Sequence, residues 1–300
     1  LRNRSKTLAD NVTNHNALLR RLRENGNITT VTGRQIVREL EYASNGTVGF
    51  YSGYETLDVS PSDVLTSATF DYKQMAGNVT ISGLEQIQNS GTEAVINLLE
   101  SRIGVLEKTM MNTLSTSLYS DGTGSSGKEI GGLQLLVADA GTGTVGGINS
   151  STFTFFQNAQ TTATSSAFST ANVQDDMNNI YLSLVRGADS PDLIMADANA
   201  YKAFLGSLQA IQRVTSDTVA TSGFTSVQYL NSDVIFDDAC PTNKMYFLNT
   251  DYLRLEVAAN RNFVPGEAKM SINQDAMVTP MFFSGALTVS NRALQGVIHV

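Results

Sequence analysis

Cysteine occurs once in these 300 residues, tryptophan not at all, histidine twice and proline five times. The single thiol, Cys240, excludes an intrachain disulfide, makes a reducing compartment the default and reads as a small buried residue. His15 and His299 stand at opposite ends, and neither has the cysteine or carboxylate spacing of a zinc site. No apolar run approaches the roughly 20 residues that span a bilayer, and no signal-peptide pattern opens the chain. Charged residues are few, at 16%, while Ser, Thr, Asn and Gly are plentiful, which favours strands and long loops with large contact surfaces. Five N-x-[ST] matches, at Asn11, Asn27, Asn45, Asn78 and Asn149, are chance in so Asn- and Thr-rich a chain. The net charge of −8 excludes a generic nucleic-acid binder. It is uneven: Arg2, Arg4, Lys6, Arg20, Arg21 and Arg23 against Asp10 and Glu24 give residues 1–24 a local +4, leaving −12 elsewhere.

No catalytic constellation stands out. Gly122-Thr-Gly-Ser-Ser-Gly-Lys128 has the spacing of a phosphate-binding loop, but Glu129 stands where a hydroxyl must ligate magnesium, and the string follows a helix instead of a strand. Gly141-Thr-Gly-Thr-Val-Gly146 matches a dinucleotide fingerprint, yet no helical pattern follows and no acidic residue lies about 20 positions on. There is no G-x-S-x-G elbow. Asp175-Asp176 in a first helical turn and Asp237-Asp238 in a turn are ordinary structural placements.

What the chain does contain is organised around Ser90–Gly122. Ser90 and Glu93 form a capping box, Val95, Leu99, Ile103, Leu106, Met110, Leu114 and Leu118 recur in steps of three and four, and Asp121-Gly122 stops the run. This predicts a helix of roughly 45 Å, at about 1.5 Å per residue, with a bend or close packing at Gly104. Residues 7–24 predict a short amphipathic helix with Leu8, Val12, His15, Leu19 and Leu22 on one face and Gly26 as its stop. Gln35–Tyr42 and Tyr51–Val59 alternate like strands around Ser44-Asn-Gly46, predicting a long hairpin that nothing nearby in sequence would bury. Residues 68–88 read as strand. An α/β region begins near 169: a helix with inner face Val173, Met177, Ile180 and Leu184, a buried strand Leu193–Met195, and a helix capped by Asp197 with Tyr201, Phe204 and Leu208. Residues 213–226 read as an exposed loop. Strands follow at 227–236 and 245–257, and at Ala276–Phe283 and Leu287–Val300, the last two parted by Ser284-Gly285.

This order of basic arm, long two-stranded loop, strand, spine helix, α/β region and closing strands resembles the major capsid proteins of tailed phages, the Hong Kong 97 fold. The specific parts are the loop at 31–59, the spine at 90–121 and Pro191-Asp-Leu-Ile-Met-Ala-Asp-Ala-Asn-Ala-Tyr-Lys-Ala-Phe-Leu205, with Asn231–Pro241 and Met245–Asn249 similar to the family's later axial strands. The resemblance implies an α+β fold with an N-terminal arm (1–30), an extended loop (31–59), a peripheral domain (60–130 and 255–300) and an axial domain (131–254). It implies a non-enzymatic subunit, without cofactor or metal, that self-assembles into hexamers and pentamers. These build an icosahedral head in the virion, put together in the host cytoplasm around double-stranded DNA held without sequence specificity. Portal, scaffolding and decoration proteins are the implied partners, and no membrane is. The loop, through Arg38, Glu39, Glu41, Tyr51 and Tyr54, is expected to lie over a neighbouring subunit, and Arg20, Arg21 and Arg23 to face DNA or a neighbour. Some relatives cross-link this loop through lysine, but Gly33–Tyr72 contains none, so non-covalent stabilisation is expected. The N-terminal scaffolding segment of some relatives is absent from the sequence, so scaffolding is expected to be separate or removed. An encapsulin-type compartment shell shares the fold and is the alternative; a nucleotide-dependent enzyme built on 122–147 is a third reading.

Overall fold

The computed structural model describes residues 17–88, 98–208 and 227–300. Helix α1, Ala17–Glu24, buries Leu18, Leu19 and Leu22. Its end is a Schellman turn: Asn27 N–H donates to Leu22 O and Gly26 N–H to Arg23 O, with Gly26 at φ +71. Leu8, Val12 and His15 lie outside the described residues. Strands β1 (Ile28–Val31) and β2 (Ile36–Glu41) follow, and the next regular element is β3, Leu65–Phe70. β2 pairs antiparallel with β3, Ile36 opposite Phe70 and Glu41 opposite Leu65. The expected return strand Tyr51–Val59 is not formed. Leu65–Phe70 takes that place because Ala68 and Phe70 reach the core, which the residues of 51–59 do not.

β4, Lys73–Ser82, runs into α2, Gly83–Gln88, where a continuing strand was expected. The switch has a local cause, a capping box in which Ser82 N–H donates to Glu85 Oε2 and Glu85 N–H to Ser82 Oγ. The spine appears as α3, Leu98–Ser117; the Ser90–Glu93 box and Val95 lie outside the described residues. Met110, Leu114 and Leu118 are buried, whereas Leu99 and Val105 are exposed. The spine lies across β4 so closely that a Cβ at Gly77 would come within 2.4 Å of Leu106 Cδ1, while nothing crowds Gly104. The helix stops short of Asp121. There Gly132 and Leu133 N–H donate to Ser120 and Leu118 O, and a Cβ at Gly132 would sit 2.3 Å from the Leu118 carbonyl, an approach only glycine permits.

Beyond the spine come α4 (Leu133–Leu136), β5 (Thr144–Val145), β6 (Ile148–Asn149), β7 (Ala159–Thr162), α5 (Val173–Leu184), β8 (Leu193–Ala196) and α6 (Ala198–Ser207). Val173, Met177, Ile180 and Leu184 form the buried face of α5 as expected. Asp197 caps α6, its Oδ1 accepting from Ala200 N–H at 2.8 Å. The loop expected at 213–226 lies outside the described residues. The chain continues with β9 (Val227–Tyr229), β10 (Ser232–Phe236), β11 (Lys244–Leu248), β12 (Leu253–Pro265), β13 (Lys269–Met270), β14 (Ala276–Val289) and β15 (Gly296–His299). β14 is unbroken, contrary to the expected interruption at Ser284-Gly285. Its partner β12 carries the irregularity instead, between Val257 and Asn262. A Cβ at Gly285 would lie 2.6 Å from Glu256 O, so this glycine serves strand contact and not a turn.

Two larger sheets result. One runs β1-β12-β14-β13, with β4 also on β14; the other runs β7-β15-β11-β8-β10-β9. β1 thus belongs to the sheet of β12 and β14. β15 lies between β7 and β11 in the six-stranded sheet, while β12, β13 and β14 lie in the other. The inner strands of the six-stranded sheet are buried on both faces. Ile194, Ala196, Val234, Phe247 and Ile298 pack with α5 and α6; Leu193, Met195, Tyr246, Leu248 and Val297 pack with α1 and the end of the spine. Successive strand residues point to opposite faces, so a strand buried on both reads as the unbroken apolar run Leu-Ile-Met-Ala.

Buried polar groups tie these layers together. Asp237 is fully buried, and its Oδ2 accepts from Tyr119 Oη at 2.9 Å and from Leu18 N–H at 3.2 Å. The carboxylate therefore caps α1 from a distant part of the chain. Burial first, and this carboxylate second, push the Tyr119 phenol well above its usual value.

Candidate functional site

Residues 42–64 form an extended loop with no regular secondary structure. Three local turns shape it: Thr47 N–H donates to Asn45 Oδ1 at 3.0 Å, Ser52 N–H to Glu55 Oε2 at 3.0 Å and Ser60 N–H to Asp58 Oδ1 at 2.9 Å. The two Ser60 bonds hold the Asp58 carboxyl below its usual range. These turns bury nothing apolar. Phe50 and Tyr54 are fully exposed, and Val48, Tyr51, Leu57 and Val59 are each more than half exposed. So many large apolar side chains on one loop mark a contact surface. The loop's charged residues are all acidic: Glu55, Asp58 and Asp63.

The root of the loop is anchored where its tip is not. On β2 and β3, Ile36, Leu40, Ala68 and Phe70 point into the core. Arg38 forms an ion pair with the buried Glu256 of β12, and its Nε donates to Thr288 Oγ1 at 3.4 Å. Burial lowers the Arg38 guanidinium from its usual value, against the raising effect of Glu256. Tyr42 packs on Phe155 with ring centroids 5.6 Å apart. On the other side of the root, Thr69 N–H donates to Gly146 O at 2.9 Å. Glu39 and Glu41 are exposed and border a cleft of about 490 Å³ shared with Arg186 and Tyr252.

The structure thus gathers Arg38, Glu39, Glu41, Tyr51 and Tyr54 on one projecting feature, with Arg38 turned inward and the others outward. It does not gather the three arginines of α1. Arg20 pairs with Glu24 on its own helix at 2.9 Å, Arg21 pairs with Asp233 of β10, and Arg23 is exposed. Sequence reasoning missed Glu256, Thr288 and Phe155, which hold the root. Their single signal is chemical: a Glu within the apolar strand Leu253–Val257 needs a buried cation.

The glycine-rich strings hold no ligand chemistry. A Cβ at Gly124 would collide with the Glu129 carboxylate, which thus fills the space a phosphate would need. Gly141–Gly146 leads into a two-residue hairpin turn, Gly146-Gly147, both at positive φ. Among the described residues no three His, Cys, Asp or Glu side chains group as a metal site, and no helix is long and apolar enough to cross a membrane. Burial pushes the Cys240 thiol well up, away from nucleophilic use.

Residues 75–279 match the family described as SU10 major capsid protein. No curated protein sequence matches the chain. Among solved structures, the chain is similar to the capsid subunit of cyanophage A-1(L), with a TM-score of 0.78 and 16% identity over 100% of this chain and 96% of that one. The SrpI encapsulin of Synechococcus elongatus gives 0.68 and 11% identity over 100% and 91% of the two chains. The capsid of Myoviridae phage XM1 gives 0.64 and 11% over 98% and 95%.

Proposed function

The chain belongs to the SU10 major capsid protein family, and from that premise we propose that it builds the icosahedral head of a tailed phage from hexamers and pentamers of itself, around double-stranded DNA. The family match carries this reading, and the exposed apolar loop at 42–64 supports it. The tip residues Phe50, Tyr51 and Tyr54 lie on a neighbouring copy, and Arg38 fixes the direction in which they project. Contact is non-covalent, because no lysine lies between Gly33 and Tyr72. The five-stranded sheet with the spine serves as the peripheral unit. The six-stranded sheet with α5 and α6 serves as the axial unit, which meets its copies at the symmetry axes. The subunit has no enzymatic activity, assembles in the host cytoplasm and works with portal, scaffolding and decoration proteins. Of α1, Arg23 is left to meet DNA or a neighbour.

The similarity to an encapsulin favours one second reading, a compartment shell around protein cargo. Negative-stain electron microscopy of the expressed chain, with absorbance at 260 and 280 nm, separates the two. Closed shells or capsomer rings are expected, and nucleic acid inside selects the phage head. Protein cargo inside selects the compartment. A monodisperse monomer, even beside a scaffolding partner, overturns both.

A further inference from the structure

We propose that Arg292 positions the root of the extended loop, acting from the core through the Gly146-Gly147 hairpin turn. Arg292 lies between β14 and β15 and is fully buried. Among the described residues no carboxylate pairs with its guanidinium. Nε donates to Leu136 O at 2.6 Å, Nη1 to Ser150 Oγ at 2.8 Å and to Phe156 O at 3.2 Å, and Nη2 to Thr142 O at 3.4 Å. Burial pushes its pKa down to about 10.

These acceptors flank one short segment. Thr142 and Ser150 bracket the β5–β6 hairpin, and Ser150 closes it, its N–H and hydroxyl both donating to Gly143 O. Phe156 follows directly on Phe155, the ring that packs on Tyr42. The turn at the far end of the hairpin meets β3: Gly146 O accepts from Thr69 N–H, and a Cβ on Gly146 would lie 2.7 Å from Ala68 Cβ. One planar fork with several fixed donors therefore sets both the hairpin and the Phe155–Phe156 segment after it; the hairpin braces the root at Thr69, and Phe155 braces it at Tyr42. A lysine, with a single point charge, cannot hold four acceptors in that arrangement. The link to shell assembly rests on the proposed function; the positioning itself does not.

Hydrogen exchange on the full-length, unassembled chain tests it, so a failure here is separate from a failure to form shells. In Arg292→Lys the Thr69 amide is expected to exchange about tenfold faster, while the Val297 amide of β15 keeps its protection. Gly146→Ala should speed Thr69 similarly, and the double variant should add little, because both act on one joint. Additive effects, equal acceleration at Thr69 and Val297, or an unchanged Thr69 overturn the proposal. Should Arg292→Lys not fold, Ser150→Ala removes one acceptor and is expected to give the same local pattern at smaller amplitude. An unchanged Thr69 in that variant also overturns it.

Discussion

Leu193–Ala196 and Val48–Val59 are both rich in apolar side chains, and they meet opposite fates. The first is buried on both faces of a sheet. The second stands in solvent, held by three turns that bury nothing. The difference lies in what the neighbouring chain supplies. β8 has helices on one side and the spine end on the other, whereas among the described residues nothing covers the loop tip. Apolar burial worth about 25 cal/mol per Å² is realised inside the molecule in one case and left unrealised in the other. The root between them is intermediate, part core and part ion pair.

That contrast can be broken at graded cost to the isolated subunit. Phe247→Ala, in the six-stranded sheet, should destabilise it by about 3–5 kcal/mol in denaturant unfolding; a loss below about 1 kcal/mol would mean the sheet is not the core it resembles. Glu256→Gln leaves Arg38 half-buried without its partner and should cost about 1–3 kcal/mol, less than a fully buried pair because Arg38 retains some solvent. Limited proteolysis of that variant should cut 42–64 faster while the six-stranded sheet stays intact. At the surface, Arg102 makes a two-pronged bond to Glu85 and, with the Ser82 contacts, draws its carboxyl down to about 2. A depressed carboxyl stabilises the attachment of α2 above its ordinary value of 4.5, and that contribution is lost as the pH falls toward about 2. The carboxyl shift of Glu85 followed by NMR should show that low midpoint, and Arg102→Ala should return it toward 4.5; a normal midpoint in the unaltered protein refutes the contact. Phe50→Ala with Tyr54→Ala should leave subunit stability within about 0.5 kcal/mol yet abolish or slow shell formation in light scattering. Normal assembly by that variant would show that the tip is not a contact surface.

Much of this was legible in the sequence where pattern and burial coincide. The α5 face, the Asp197 cap, the strand Leu193–Met195 and the spacing of Met110, Leu114 and Leu118 all follow from one periodicity meeting one core. Legibility failed where the partner is remote. Tyr51–Val59 alternates as a strand does, but alternation also describes a loop whose apolar residues await another surface. Ser284-Gly285 reads as a turn until Glu256 O is found against it. Two S-x-x-E strings lie within a dozen residues, and only the one at Ser82–Glu85 falls on described chain. Arg292 carries no sequence signal and Asp237 only that of a local turn, since the acceptors of the one and the Tyr119 and Leu18 donors of the other lie more than a hundred residues away.

β14 and β15 have a consequence for timing. β14 joins β4, β12 and β13 in one sheet, and β15 sits between β7 and β11 in the other. Both strands follow their sheet partners in the chain, so neither sheet can be completed before residues 276–299 have been made. The exposed apolar loop is translated more than two hundred residues before β14, ahead of the β12 carboxylate and the β14 hydroxyl that fix its root. A nascent chain thus exposes the apolar side chains of the loop before the ion pair that orients its root can form.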